Sequence, residues 1–500
     1  MRRSGRGPVV LLAGSVGLLV AILAIAIADA TRQPGPGGEA AGLVPASALA
    51  FVRLSTDPED AAARRLLRLA PRIPGYSSLR DAALTAVSPA PGAFDPRRDV
   101  RPWLGDEAAV ALVDVGGGRF ASVVLAAVRS RPRAEALLQR VAGAGPGVRY
   151  RGTLLRRFGP SAAVFLKGFL IAGPEAAVRA AVDVAQGEAP ALADAPSFEA
   201  ALGDARRPVQ GYLSPRGLRG YVRAQGGVAG TIAALIDRPE LKGVGASLRA
   251  DGRGLRVHAR LLGAAGAAVR PRLLDDVPAG AVALLAGPSL AAAVQAAQRA
   301  GAAGALETVR TTLEQASSLD LERDLLARLQ GEFTAWLEPG PAAPVVTLAA
   351  RTSDPAGLRE LLARLQDPLA RALAGDQGGT PAFQAVTIAG ADAFTLDIAD
   401  GFAPTYAVTG DTLVLSTSAA GLERLRARAP RLRAARGFRA AVPRIPPGIE
   451  SLGFVDVRQL LVLGEQTGLT ADVLRPVRAA AAVIEREKDD TTAELSFEIP

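Results

Sequence analysis

His258 is the single histidine among 500 residues, and cysteine is absent. A multi-histidine zinc site, an HExxH helix, a thiol nucleophile, a thiolate metal site and a disulfide are therefore out of reach. The lipidated cysteine of a bacterial lipoprotein is missing as well. His258 lies in a run where Leu255, Val257, Ala259 and Leu261 alternate with polar residues. Period-two alternation predicts a strand with His258 on the face opposite the apolar set. A solvent-facing strand residue is the expected reading, against a lone general base.

Two acidic groupings could hold Mg²⁺ or Ca²⁺ through oxygen ligands: Asp57, Glu59 and Asp60, and Asp320, Glu322 and Asp324. Neither has the central glycine and terminal glutamate of a calcium loop. Acids in a first helical turn also arise simply because they complement the helix dipole. Gly116-Gly117-Gly118 sits between two apolar runs and reads as a hairpin turn rather than a phosphate cradle. No GxxxxGK[ST], strand-following GxGxxG or GxSxG occurs. Gly287-Pro288-Ser289 reads as a helix cap, and Trp103 and Trp336, the two tryptophans, as core residues. No catalytic, cofactor-binding or metal-binding residue is assigned, no cofactor is expected, and a ligand-binding residue remains unknown.

The elements that would have to position any chemistry come from the wider pattern. With 49% apolar and 21% charged residues the chain is globular, and 500 residues exceed what one core supports. Aromatics are 4%, so the cores must be built from Ala, Val and Leu. A net charge of +9 would by itself suggest an anionic partner. The cations are nearly all arginine, however, and alternate with acids, as in LERDLLARL at 321–329. They read as solvated surface, and without interleaved aromatics no nucleic-acid partner is expected.

Arg2, Arg3 and Arg6 precede an uncharged apolar run, Val9–Ala28. Its ~20 residues make a helix of about 30 Å, enough to span a bilayer. Positive charge before the run places the N-terminus in the cytoplasm and the remainder outside. A cleaved signal peptide is the competing reading, since Ala28-Asp29-Ala30 is a small-x-small site, but signal cores are usually shorter. The expectation is a single-pass cell-membrane protein: a cytoplasmic stub at 1–8, a transmembrane helix at 9–28 and a Pro/Gly stalk at 29–43.

Beyond the stalk the chain repeats itself. Val44-Pro45-Ala46 is echoed by Val277-Pro278-Ala279, Val123–Val128 by Val345–Ala350, and Gly168–Gly173 by Asp411–Ser416. Ser197-Phe198 is echoed by Gly437-Phe438 and Gly211-Tyr212-Leu213 by Gly453-Phe454-Val455, in unchanged order. A hairpin pattern closes each copy. The copies are placed at 44–262 and 277–500, with a linker at 263–276. Within each copy short apolar strands lead through Ser, Thr, Asp or Gly, often with proline, into amphipathic helices. That grammar predicts an α+β fold, a mixed or antiparallel sheet with helices packed on it.

The openings VPASALAFVRLSTDP (44–58), DVRPWLGDEAAVAL (99–112) and GFLIAGPEAAVRAAVD (168–183), behind a span and a stalk, resemble the bacterial domain-of-unknown-function family 3352. The resemblance implies a membrane-associated envelope protein of unassigned activity and carries no catalytic residues. The expected role is a non-enzymatic, membrane-anchored extracytoplasmic protein whose tandem ectodomain binds an envelope protein, a glycan or a lipid, or serves as a scaffold. A carrier of an apolar ligand and a carboxylate-dependent hydrolase are the alternatives.

Overall fold

The computed structural model describes residues 40–57, 60–72, 96–117, 119–142, 147–203, 207–224, 239–252, 254–297, 311, 314, 320–374, 382–399, 401–427, 429–466 and 475–499. The expected stub, transmembrane helix and stalk up to residue 39 lie outside the described residues, as does Glu59. Among the described residues no helix is long and apolar enough to cross a membrane. The chain divides into two compact units between Ala264 and Ala265.

In the first unit the strands are β1 (Ala50–Ser55), β2 (Leu104–Asp114), β3 (Phe120–Val128), β4 (Gly147–Tyr150) and β5 (Thr153–Phe158). They continue as β6 (Ser161–Leu166), β7 (Phe169–Pro174), β8 (Val209–Leu213), β9 (Gly243–Asp251) and β10 (Gly254–Leu262). Pairing is antiparallel throughout, in the order β4-β5-β6-β7-β3-β2-β1-β8-β9-β10. The second unit holds β11 (Ala283–Gly287), β12 (Phe333–Glu338), β13 (Val345–Arg351), β14 (Gln384–Ile388) and β15 (Ala391–Thr395). Then follow β16 (Thr405–Thr409), β17 (Thr412–Ser416), β18 (Ile449–Asp456), β19 (Ala479–Glu487) and β20 (Asp490–Glu498). Its order, β14-β15-β16-β17-β13-β12-β11-β18-β19-β20, reproduces that of the first unit strand for strand.

The register agrees too. Phe51 stands between Ala111 and Tyr212, and Leu284 between Trp336 and Phe454. Both units are thus antiparallel sheets with helices packed on them.

Strand alternation gives each sheet two apolar faces of different fates. One, the inner face, is sealed. In the first unit Phe51, Leu125 and Ile171 pack against Val178 of α4 (Glu175–Ala185) and Leu192. Phe198 of α5 (Pro196–Leu202) wedges between the rings of Phe51 and Tyr212, 5.6 and 5.3 Å away. In the second unit Leu284, Trp336 and Val414 meet Leu422 of α9 (Ala419–Arg426), whose N-cap Ser418 accepts the N–H of Ala420. Phe438 of α10 (Arg436–Ala441) stands edge-on to Phe454 at 5.1 Å.

Short turns precede each first strand. Ala40–Leu43, at the end of the expected stalk, forms a buried 3-10 turn, and Leu273–Asp276 forms its counterpart. Of the stretch read as a linker, residues from Ala265 onward are bonded into the second unit. The Gly266 N–H donates to Glu450 and Val269 pairs with Ile449.

Candidate functional site

Several of the described residues that sequence singles out for chemistry have local structural tasks. His258 is exposed on β10, opposite Ser247. Asp60 accepts the N–H groups of Ala62 and Ala63 at 2.8 and 3.1 Å and so caps the helix Ala61–Leu69, α1. Asp320 and Asp324 close a turn on each other: Asp320 accepts from Arg323 N at 2.9 Å, and Asp324 from Asp320 N at 3.0 Å. That backbone donor holds the Asp324 carboxyl below the usual carboxylate range. Glu322 instead accepts from Gln295. No group of three potential ligands converges on a metal position among the described residues.

Gly116 and Gly117 adopt φ of +90° and +62° in the turn between β2 and β3, where the Gly116 N–H donates to Asp114. Gly118 is outside the described residues. Ser289 accepts from Ala292 N as the cap of Leu290–Ala297, α7. Both tryptophans are buried, Trp103 donating to Asp99 O and Trp336 to Glu338, and they occupy non-equivalent places.

Sequence reasoning missed a pair of buried carboxylates. Glu107 and Glu332 occupy matched places at the start of β2 and just before β12, because Leu54 faces Ala108 where Gly287 faces Phe333. Glu107 accepts the N–H of Ala40 at 3.1 Å, and Glu332 that of Leu273 at 2.6 Å. Each carboxylate supplies an acceptor to the otherwise unpaired N–H of a short turn and ties that turn to the sheet. Glu332 is 2% exposed, and burial raises its pKa despite the N–H groups of Leu273 and Arg272 and the nearby Arg351. The sequence carries a signal in the Gly-acid lead into each strand, Gly105-Asp106-Glu107 and Gly331-Glu332. A second buried acid, Glu338, pairs with Arg424 at 3.2 Å, where the first unit has Val113 and Ala181. Buried Asp99 is paired with Arg98 and Arg140. Each of these carboxylates is engaged by a structural partner.

What remains is the second, outer face of each sheet. In the second unit one row runs Phe497–Ala480–Val455–Ala283–Leu337–Val346 across six strands. The next row runs Leu495–Ala482–Gly453–Leu285–Ala335–Leu348. Neither row contains a polar side chain, yet no residue in either is fully buried, and Leu285 and Val346 are each 46% exposed. To one side of the rows, Leu358 and Leu362 of α8 (Pro355–Ala374) pack with Phe333 and Leu413. On the other side stands α11 (Val457–Gln466), with Val462 58% exposed. The result is an apolar trough, open along its middle.

The first unit builds the same face from Val52, Val110, Gly211 and Ala246, but closes it further. Ser214 caps α6 (Pro215–Ala224) by accepting Gly217 N, as Asp456 caps α11 by accepting Gln459 N, both at about one turn's reach. Gly217 lies so near the Leu49 carbonyl that a Cβ would collide with it. The glycine therefore lets α6 sink onto the sheet, and Leu218 is buried against Leu213, Val244 and Leu261. Gln459 stands at the matching position in α11.

A family model described as "Protein of unknown function (DUF3352)" matches residues 7–482. No curated protein matches the chain. Among solved structures, crystal form IV of TP0453 aligns at 10% identity and a TM-score of 0.24, covering 46% of this chain and 81% of that one. Crystal form I aligns at 9% identity and a TM-score of 0.20, covering 78% and 96%. Likeness at this level assigns neither fold nor function.

Proposed function

The chain belongs to the DUF3352 family of proteins of unknown function, and from that premise we propose a non-enzymatic, membrane-anchored binding protein whose tandem units present apolar sheet faces outside the cell membrane. The observation that carries the reading is the unsealed outer face of the second unit, with Leu285 and Val346 each 46% exposed amid two rows free of polar side chains. Exposed apolar patches of this kind mark interaction surfaces rather than catalytic clefts. The engagement of Glu107, Glu332, Glu338 and Asp99 by structural partners argues against the hydrolase alternative.

The test is titration with a solvatochromic apolar dye. The full chain should bind it, and Leu285→Asp or Val346→Asp should weaken binding by about tenfold or more, because a carboxylate would be dehydrated without a partner. Dye binding that is absent, or indifferent to both variants, removes the proposal. Half-exposed positions are chosen so that neither variant unfolds the unit.

The anchor is assigned to Val9–Ala28, with the stub in the cytoplasm. Full-length protein should stay with membranes through an alkaline wash, whereas a chain starting at Ala40 should be released. Recovery of both in the same fraction would place the anchor elsewhere.

A further inference from the structure

Resting on that reading of the outer face, we propose that the trough of the second unit binds a long-chain fatty acid, with its alkyl chain along the sheet and its carboxylate at Arg458 and Arg478.

The occupant must be free of hydrogen-bonding groups along its length. β12, β11, β18 and β19 are each paired on both edges, so no backbone N–H or C=O is offered on the face, and the two rows carry no polar side chain. An extended peptide would leave its own amides dehydrated and unpaired there. A docked helix would satisfy its own amides, but it is about 10 Å across. The two rows are set by residues two apart along a strand, about 6.6 Å, a width suited to a single hydrocarbon chain. From Phe497 to Val346 the face crosses five strand spacings, about 24 Å, comparable with an extended long-chain alkyl group. The small residues Ala480, Ala482, Gly453, Ala283 and Ala335 keep the floor low beneath Leu285 and Val346.

The charge lies at one edge. The Arg478 N–H donates to Glu498 O at 2.8 Å, so Arg478 prolongs the β19 ladder. Alternation with Ala480 and Ala482 puts it on the outer face beside the first row. Arg458, in the first turn of α11, donates its backbone N–H to Arg478 O at 3.4 Å, which brings the two residues together. Both are exposed, and neither forms an ion pair among the described residues. A guanidinium pair next to a neutral apolar floor selects a single-headed anion with a hydrocarbon tail. In the first unit Leu218 is buried at that end of the face, at 1% exposure.

The test uses the full chain in membranes and hexadecanoic acid bearing a diazirine on its chain, with crosslinked peptides mapped by mass spectrometry. Labelling is expected on the peptides carrying Leu285, Ala335 and Ala482. It should fall about tenfold in Leu285→Asp and in the Arg458→Glu/Arg478→Glu double variant. A diazirine-bearing hexadecanol should label the wild type and the arginine double variant alike, and circular dichroism should show both variants folded. Labelling absent from these peptides, unaffected by either variant, or equalled by a two-chain phosphatidylglycerol probe overturns the fatty-acid assignment. If the apolar dye still binds with its dependence on Leu285 and Val346, the binding face survives and only its ligand class falls. Failure of dye and fatty acid together removes both.

Discussion

Replacing Phe438 by alanine is expected to cost the second unit about 3–5 kcal/mol, the range for truncating a buried phenylalanine. Phe438 is 1% exposed, and its ring stands at 73° to that of Phe454, an edge-to-face contact worth something beyond area alone. Its six-residue helix, Arg436–Ala441, has little capacity to hold itself. The ring is what fastens that helix to β18 and to the inner core. Collapse around the missing ring is limited, because Leu432, Ala441 and Leu452 are already packed beside it. Denaturant unfolding of the variant should show the loss as a lower midpoint. A loss under about 1 kcal/mol would mean the helix is held by something else. Phe198, its counterpart in the first unit, is only half-buried, so the same change there should cost less.

The second large effect is expected at Glu332. Alanine there removes the acceptor for the N–H of Leu273, in a place where the carboxylate is 2% exposed, while the N–H of Arg272 keeps the Arg270 carbonyl at 2.9 Å. A donor left dehydrated costs about 1–3 kcal/mol. Glutamine keeps an acceptor oxygen and should cost much less than alanine. Equal losses from the two variants would show that the tie between turn and sheet is not what Glu332 contributes.

Both variants also remove a titrating carboxyl, so both should change the pH dependence of stability in the same direction. Burial raises the Glu332 pKa, so the folded state holds this proton more tightly than the unfolded chain does. The contribution is present at low pH and is lost as pH rises from the ordinary glutamate value, about 4.3, through the raised one. Arg351 and Arg272 face the carboxylate and moderate the shift, and Arg351 is itself paired with Asp411. Asp276 is raised by burial as well and adds a slope of the same sign. Glu332→Gln should therefore flatten, not abolish, the fall in stability with rising pH. A wild-type slope that Glu332→Gln leaves unchanged would assign the titration to another group.

Much of the architecture could be read from residue order because it depends on local patterns. Period-two alternation in Leu255–Leu261, the Asp251–Gly254 turn, and Ser or Asp ahead of each helix act within a few residues of themselves. They therefore announced strands, hairpin and caps directly. The duplication was legible for the same reason: strand-and-cap signatures such as Gly211-Tyr212-Leu213 and Gly453-Phe454-Val455 survive divergence, because a sheet position tolerates only a narrow class of residues.

Three things were not legible, and each depends on contacts between residues far apart in the chain. Glu107 and Glu332 look like surface acids until the fold brings Ala40 and Leu273 against them, across 67 and 59 residues. The pair Glu338 and Arg424 replaces Val113 and Ala181, a coordinated change visible only once the two sheets are laid in register. The exposure of Leu285 and Val346 on the second outer face, and the seat of Gly217 against the Leu49 carbonyl on the first, appear only once helices and sheet are placed together. Composition and periodicity told which residues are apolar and which element each belongs to. Only tertiary packing decided which apolar face was covered and which was left open, because coverage is set by the distance between elements, and no local pattern encodes that distance.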